Sequence, residues 1–211
     1  MGSAPPPTRT TPRSKLLLGA VAAFLLLSLG GGAALWIASR GSDASFSAGS
    51  AIGGAFTLTA SDGSTVTDRT YRGKWLLIYF GYTYCPDACP TSLNEISQAV
   101  AKLGGKADQV QPLFITIDPE RDTPKVMADY VRAFDAHIIG LTGTPTQIAA
   151  VAKEFRVYYQ RQKTDDGSYL MDHTSLIYVI NPRGQFVRMF PGDMTGDRMA
   201  RYLEELMSAT S

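Results

Sequence analysis

Cysteine and histidine are scarce in this chain of 211 residues: there are two of each. The cysteines, Cys85 and Cys89, stand in "GYTYCPDACP" (Gly81–Pro90) with three residues between them. A bridge between them would close a very short loop. Such a loop removes little unfolded-state entropy, so the pair is a poor structural staple. Excess charge is missing too. The formal net charge is +1 and the pI about 7.7, so nothing argues for a nucleic-acid partner. No repeat of roughly 20–50 residues is visible, which excludes a solenoid or propeller. No acidic residue occurs in 1–15, "MGSAPPPTRTTPRSK", and no charge at all in 16–39, "LLLGAVAAFLLLSLGGGAALWIAS". No cysteine stands just after that run, which excludes a lipoprotein anchor. Pro6 occupies the place where Ser or Thr is expected after an N-terminal Met-Gly, which argues against myristoylation.

What is present divides the chain unevenly. Residues 1–15 are Pro-rich and basic, through Arg9, Arg13 and Lys15, and read as a disordered cytoplasmic tail. Residues 16–39 are apolar over 24 positions. A bilayer core needs about 20 apolar residues in a helix, so the run is read as a transmembrane anchor. A cleaved signal peptide usually carries a shorter apolar stretch of about 7–15 residues. Basic residues gather before the run, which places the N-terminus in the cytoplasm and the remainder outside it. Residues 40–52, "RGSDASFSAGSAI", form a small-residue linker. Residues 53–211 are left as the globular domain. Two cysteines outside the cytoplasm are compatible with a disulfide.

The domain reads as α/β. Trp75–Gly81, "WLLIYFG", is a continuous apolar run, as in a strand of a parallel sheet buried on both faces. A helix follows, with Leu93, Ile96, Val100 and Leu103 on one face and Gly104-Gly105 as its stop. Its start carries two overlapping signals. Pro90 suits the first helical position, with Cys89 as cap; Ser92 with Glu95 suits a capping box. Val110–Ile117 is the next strand, and a right-handed parallel crossover is expected. Pro124–Asp135 and Thr144–Arg156 read as helices, with a short strand Ile138–Leu141 between them. Ser175–Ile180 and Gln185–Phe190 form a hairpin through "NPRG". A last helix runs from about Thr195 to Met207. A parallel βαβ half followed by an antiparallel ββα half is the thioredoxin-like arrangement. Extra strands are expected near Phe56–Thr59 and Val157–Lys163.

Functional loops gather beyond the carboxyl ends of parallel strands. The cysteine loop and "DPERDTP" (Asp118–Pro124) therefore share one rim. A helix N-terminus there favours thiolate over thiol at Cys85 and Cys89. Pro86 and Pro90 stiffen the loop between the sulfurs. Thiolates are soft ligands that select Cu(I), zinc or iron–sulfur chemistry, but two of them make a weak site. His173, just before the strand Ser175–Ile180, reaches the same rim if that strand is antiparallel to Trp75–Gly81. Two thiolates and one imidazole suit three-coordinate copper; zinc would need a fourth ligand or water. His137 reads as a surface residue. Met171 and Met194 read as packing residues before ligands, as do Tyr82 and Tyr84. The acidic loop Asp118–Asp122 reads as solvated, with Asp122 or Thr123 capping the next helix. Thioredoxin-type enzymes place a cis-proline in the loop corresponding to "MDHTS", which has no proline. That absence favours metal binding over disulfide exchange.

The blocks "YFGYTYCPDACP", "FITIDPERDTP", "GLTGTPTQIAAVAKEFRVYY" and "DHTSLIYVINPRGQF" together resemble the Sco/SenC family. These are membrane-anchored, thioredoxin-like copper proteins that help assemble cytochrome c oxidase. The likeness runs from about Gly53 to Met207. It implies copper, as Cu(I), Cu(II) or both, held by Cys85, Cys89 and His173. It places Asp118, which opens the acidic block, beside the site as a modulator. It also implies an upstream copper-donor protein and delivery to the dinuclear copper centre of oxidase subunit II. The expected location is the bacterial inner membrane with the domain in the periplasm, or an equivalent extracytoplasmic space. Such a protein binds and transfers without turnover chemistry. The alternative is a tethered thiol–disulfide oxidoreductase, with Cys85 and Cys89 as a redox-active disulfide that keeps the oxidase cysteines reduced.

Overall fold

The computed structural model describes residues 52–134 and 137–209. The expected tail, the expected span 16–39 and nearly all of the linker lie outside the described residues. Among the described residues no helix is long and apolar enough to cross a membrane. Ala51–Ser211 forms one compact unit.

The unit is built on a seven-stranded sheet. In chain order the strands are β1 (Thr57–Ala60), β2 (Thr65–Thr67), β3 (Trp75–Gly81), β4 (Val110–Thr116), β5 (Ile139–Thr142), β8 (Leu176–Ile180) and β9 (Phe186–Pro191). Their spatial order is β2-β1-β5-β4-β3-β8-β9. Two further strands, β6 (Tyr159–Lys163) and β7 (Tyr169–His173), pair only with each other. The helices are α1 (Ala88–Lys102), α2 (Pro124–Val131), α3 (Pro145–Glu154) and α4 (Gly196–Ala209).

Every residue of β3 is buried, as its unbroken apolar run predicts. Full burial of one such side chain contributes about 1.5–3 kcal/mol, which makes β3 the hub of the core. β4 runs parallel to it, Trp75 opposite Val110 and Gly81 opposite Thr116. β8 runs antiparallel on its other side, Leu76 opposite Ile180 and Tyr79 opposite Ile177. The carboxyl ends of β3 and β4 and the amino end of β8 therefore meet at one rim. The βαβ and ββα halves are both present, and the β8–β9 hairpin turns through Gly184 at φ 77°, where the Gly184 amide donates to the Asn181 carbonyl. Phe80, Phe155 and Tyr178 close the core as three mutually tilted or edge-on rings.

Several local expectations give way to tertiary contacts. α1 starts at Ala88 with Asp87 as its cap, one residue before Cys89. Neither Cys89 nor Ser92 caps it. Ser92 Oγ donates to the Gly192 carbonyl at 2.8 Å, and Glu95 accepts the Gly196 amide at 2.5 Å. The residues that read as a capping box instead join α1 to the start of α4. α3 ends at Glu154, two residues earlier than expected. Arg156 takes φ 55°, and the Val157 and Arg156 amides close back onto the Ala152 and Lys153 carbonyls. Thr144 does cap α3, in a capping box with Gln147. Thr123, not Asp122, caps α2. α2 ends at Val131, four residues short of the expected Asp135, and the chain then tightens through Ala133-to-Tyr130 and Phe134-to-Val131 bonds. Two of the three acidic residues in the loop are not solvated: Asp118 and Asp122 are 1% and 0% exposed, while Glu120 faces water.

Candidate metal centre

The rim brings three ligand atoms together. Sγ of Cys85, Sγ of Cys89 and a ring nitrogen of His173 all lie within 4.8 Å of one another, with no other histidine, cysteine or carboxylate in the group among the described residues. Cys85 reaches the rim on the loop after β3. Cys89 is carried by the first turn of α1, and His173 by the end of β7, 84 residues further on. Cys89 is fully buried, whereas Cys85 and His173 are partly exposed. The centre is therefore closed behind and open in front.

Local chemistry orients each ligand. The Cys89 amide donates to Cys85 Sγ at 3.4 Å, so this sulfur takes up one of the orphan donors of the helix start. His173 Nδ1 lies 3.1 Å from the Thr174 carbonyl oxygen. A carbonyl can only accept, so the proton sits on Nδ1 and the Nε2 lone pair is free. Nε2 is 3.6 Å from Cys89 Sγ. The imidazole is held edge-on between the rings of Tyr79 and Tyr82, with centroids at 6.2 and 6.0 Å. The Tyr79 hydroxyl, 3.2 Å from Ser175 Oγ, is buried beside Cys89, and burial holds its pKa above the usual phenol range.

The two sulfurs are unequal. The Cys89 thiol donates to Cys85, and the backbone of Cys89 and Asp87 adds to it; together they outweigh burial, so the Cys85 pKa falls to about 3. The Cys89 pKa is pushed up by that same bond, then by burial and by the Cys85 charge. Cys85 is thus a ready thiolate, whereas Cys89 keeps its proton while Cys85 carries the charge.

Two supports do not follow from the cysteine motif. A Cβ on Gly81 would lie 2.6 Å from Cys89 Sγ and 2.8 Å from the Phe114 ring. A strand-ending glycine is the signal of such close approach. Gly81→Ala is expected to cost about 1–3 kcal/mol through overpacking and to displace the Cys89 sulfur; urea denaturation with copper titration checks both. The second support is Asp122, which accepts from the Thr83 amide and hydroxyl at 3.1 and 2.6 Å and from the Thr116 hydroxyl at 2.5 Å. It pins the cysteine loop to the end of β4.

Asp118 is not one of the grouped ligands; its carboxylate binds Arg121 and the Tyr169 hydroxyl. Met171 and Met194 are buried in the core, as packing predicts. Tyr82 is buried, but Tyr84 is 61% exposed and lies against the Arg121 guanidinium at 4.6 Å. His137 is exposed, and its carbonyl accepts from Gln111.

Residues 45–208 match the profile of the SCO1/SenC family. Among curated relatives, the chain is 45% identical over 142 residues to the human mitochondrial SCO1 homolog, covering 66% of this chain and 47% of that protein. It is 43% identical over 141 residues to the mitochondrial SCO1 homolog 1 of Arabidopsis thaliana, covering 66% and 42%. It is 41% identical over 154 residues to the SenC protein of Rhodobacter capsulatus, covering 73% and 70%. The chain thus spans about half the length of the first two. Among solved structures, copper-bound ScoI of Bradyrhizobium japonicum is 49% identical at a TM-score of 0.69, covering 74% of this chain and 99% of that one. Copper-bound ScoI of Arabidopsis thaliana is 38% identical at 0.72, covering 75% and 99%. The fold is the thioredoxin-like one of these proteins.

Proposed function

The chain belongs to the SCO1/SenC family, and from that premise we propose that it binds copper and hands it on during assembly of cytochrome c oxidase. Cys85, Cys89 and His173 are the ligands in this reading. The observation that carries it is the meeting of two sulfurs and one imidazole nitrogen within 4.8 Å. That donor set fits copper: it is soft, supplies three ligands, and has one ligand already disposed to be a thiolate. The relatives whose structures hold copper, at 49% and 38% identity, support the same cargo.

Copper is cargo here rather than a resident cofactor. The open front, where Cys85 and His173 are partly exposed, gives an incoming donor thiolate or imidazole access to the ion. Cys89 stays behind as the buried holder. The recipient we propose is the dinuclear copper centre of oxidase subunit II, with an upstream copper-donor protein supplying the ion. The domain works outside the cytoplasm, tethered by residues 16–39.

Copper titration of the full-length chain tests the reading. The reduced protein is expected to bind one copper ion per chain. The form with Cys85 and Cys89 oxidised to a disulfide is expected to bind none, because a disulfide sulfur is a poor ligand. Equal binding by both forms would remove the sulfurs from the site.

The unequal thiols favour a second reading, disulfide exchange. The Cys85 thiolate would attack a target disulfide and displace one target thiolate. Cys89 would then pass its proton to the displaced target thiolate, attack the mixed disulfide and release the other target sulfur as a thiolate. The target gains two electrons, and this chain ends with the Cys85–Cys89 bond.

A further inference from the structure

We infer that Asp118, Arg121 and Tyr169 form a latch that holds the β6–β7 hairpin, and His173 with it, over the two sulfurs. The inference rests on the copper-site reading and treats the three as positioning residues that touch no copper.

The hairpin needs such a device. It forms a sheet of its own, separate from the seven-stranded one. Met171 is its sole buried residue across both strands. A two-stranded hairpin is marginal by itself in water. Its internal bonds, such as Thr174 N to the Tyr158 carbonyl at 2.9 Å, hold it to itself. Between it and the acidic loop lies a cleft of about 200 Å³, lined by Asp118, Glu120, Ile148, Tyr159, Arg161 and Met171 among others. Close packing therefore does not fix the hairpin on that side.

Polar contacts do. Tyr169 opens β7, four residues before His173. Its carbonyl accepts from Arg121 Nη1 at 3.0 Å, and its hydroxyl donates to Asp118 at 3.0 Å. Arg121 Nε binds the other oxygen of the same carboxylate. The Tyr169 ring lies 3.7 Å from the Arg121 guanidinium carbon and 4.0 Å from that of Arg161. Arg161 in turn reaches Glu120 at 2.6 Å. The Asp118 amide donates to Thr116 Oγ1 at 2.9 Å, so the latch is anchored at the end of β4. Arg121 Nη2 is buried without a hydrogen-bond partner, a penalty its other bonds must offset.

The ligand at position 173 is thus positioned by a salt bridge about which the cysteine motif says nothing. Breaking the latch leaves all three ligands in the chain but lowers the fraction of molecules in which they converge. Apparent affinity falls by that fraction.

The test uses the reduced full-length chain, with Cu(I) affinity read by chelator competition. Arg121→Met, which keeps the apolar stem, is expected to weaken binding about 10- to 100-fold. Tyr169→Phe, which removes only the hydroxyl, is expected to weaken it several-fold and covers the case in which Arg121→Met does not fold. A purely structural role would add these losses to that of His173→Ala. The latch predicts no further loss when either substitution is combined with His173→Ala. The imidazole nitrogen signal in pulsed EPR of the Cu(II) form should also shrink in both single variants. Affinity within twofold of the parent for folded variants, or full additivity with His173→Ala, overturns the latch. If His173→Ala alone binds copper like the parent, the ligand assignment itself has failed, and the latch with it.

Discussion

His173→Ala is expected to weaken copper binding by roughly 100-fold or more while leaving Cys85 and Cys89 able to form a disulfide. Loss of a group that merely orients a metal ligand costs about 10–100-fold in affinity, so loss of a ligand sets the larger scale. The sulfurs do not need the imidazole to meet. Cys85 Sγ is fixed by the Cys89 amide, and Cys89 by its place in α1 and its burial against Gly81. The fold does not need it either, since His173 is partly exposed at the end of a hairpin that buries only Met171. The effect should therefore be confined to metal. Chelator competition on the reduced protein measures affinity, and mass spectrometry after mild oxidation measures loss of the two thiol hydrogens. The outcome separates the two functional readings. The proposed copper site requires an imidazole at this rim, and disulfide exchange does not. Unchanged affinity in a folded variant would leave only a dithiol.

The contrast between what the sequence disclosed and what it hid follows from the range of the forces involved. β3 was legible because burial on both faces writes an unbroken apolar run, and the β8–β9 hairpin because "NPRG" is local turn chemistry. The convergence of Cys85, Cys89 and His173 was legible through topology, once β8 is set antiparallel to β3. What stayed hidden involves partners distant in sequence. Ser92 and Glu95 read as a capping box because that motif is local, but each is claimed by the segment around Gly192–Gly196. Asp118 and Asp122 read as solvated because charge within a loop usually is. Their distant partners, Tyr169 and Thr83, could not be known before the fold. β7 was missed since one buried residue in five leaves no alternation to read. The hydrophobic pattern thus places the rim, and buried polar contacts that leave no periodic trace set the positions within it.

Asp122→Ala is expected to cost about 3–5 kcal/mol of folding stability, and Asp122→Asn less than about 1 kcal/mol. The carboxylate receives three donors in a site closed to water, and its carbonyl accepts from Thr142 at 2.7 Å. Alanine leaves the Thr83 amide and two hydroxyls facing a void. Asparagine satisfies the same set: its oxygen accepts from the Thr83 amide and the Thr116 hydroxyl, and its amide donates to Thr83 Oγ1. The charge, by contrast, is a burden. Burial above all, with the Asp118 charge adding to it, raises the Asp122 pKa from its ordinary 3.8 despite the three donors. A carboxyl raised on folding contributes stability that is full below its unfolded pKa and is lost as pH rises through the folded one. The asparagine variant has no such loss. Its stability relative to the parent should therefore climb as pH rises from about 4 through that window, measured by urea midpoints at fixed salt. A difference that is flat or falling with pH would show the carboxylate to be stabilising as an ion, and equal tolerance of alanine would show that Thr83 does not depend on it. Because Thr83 stands two residues before Cys85, the alanine variant should lose copper affinity along with stability, and the asparagine variant should keep both.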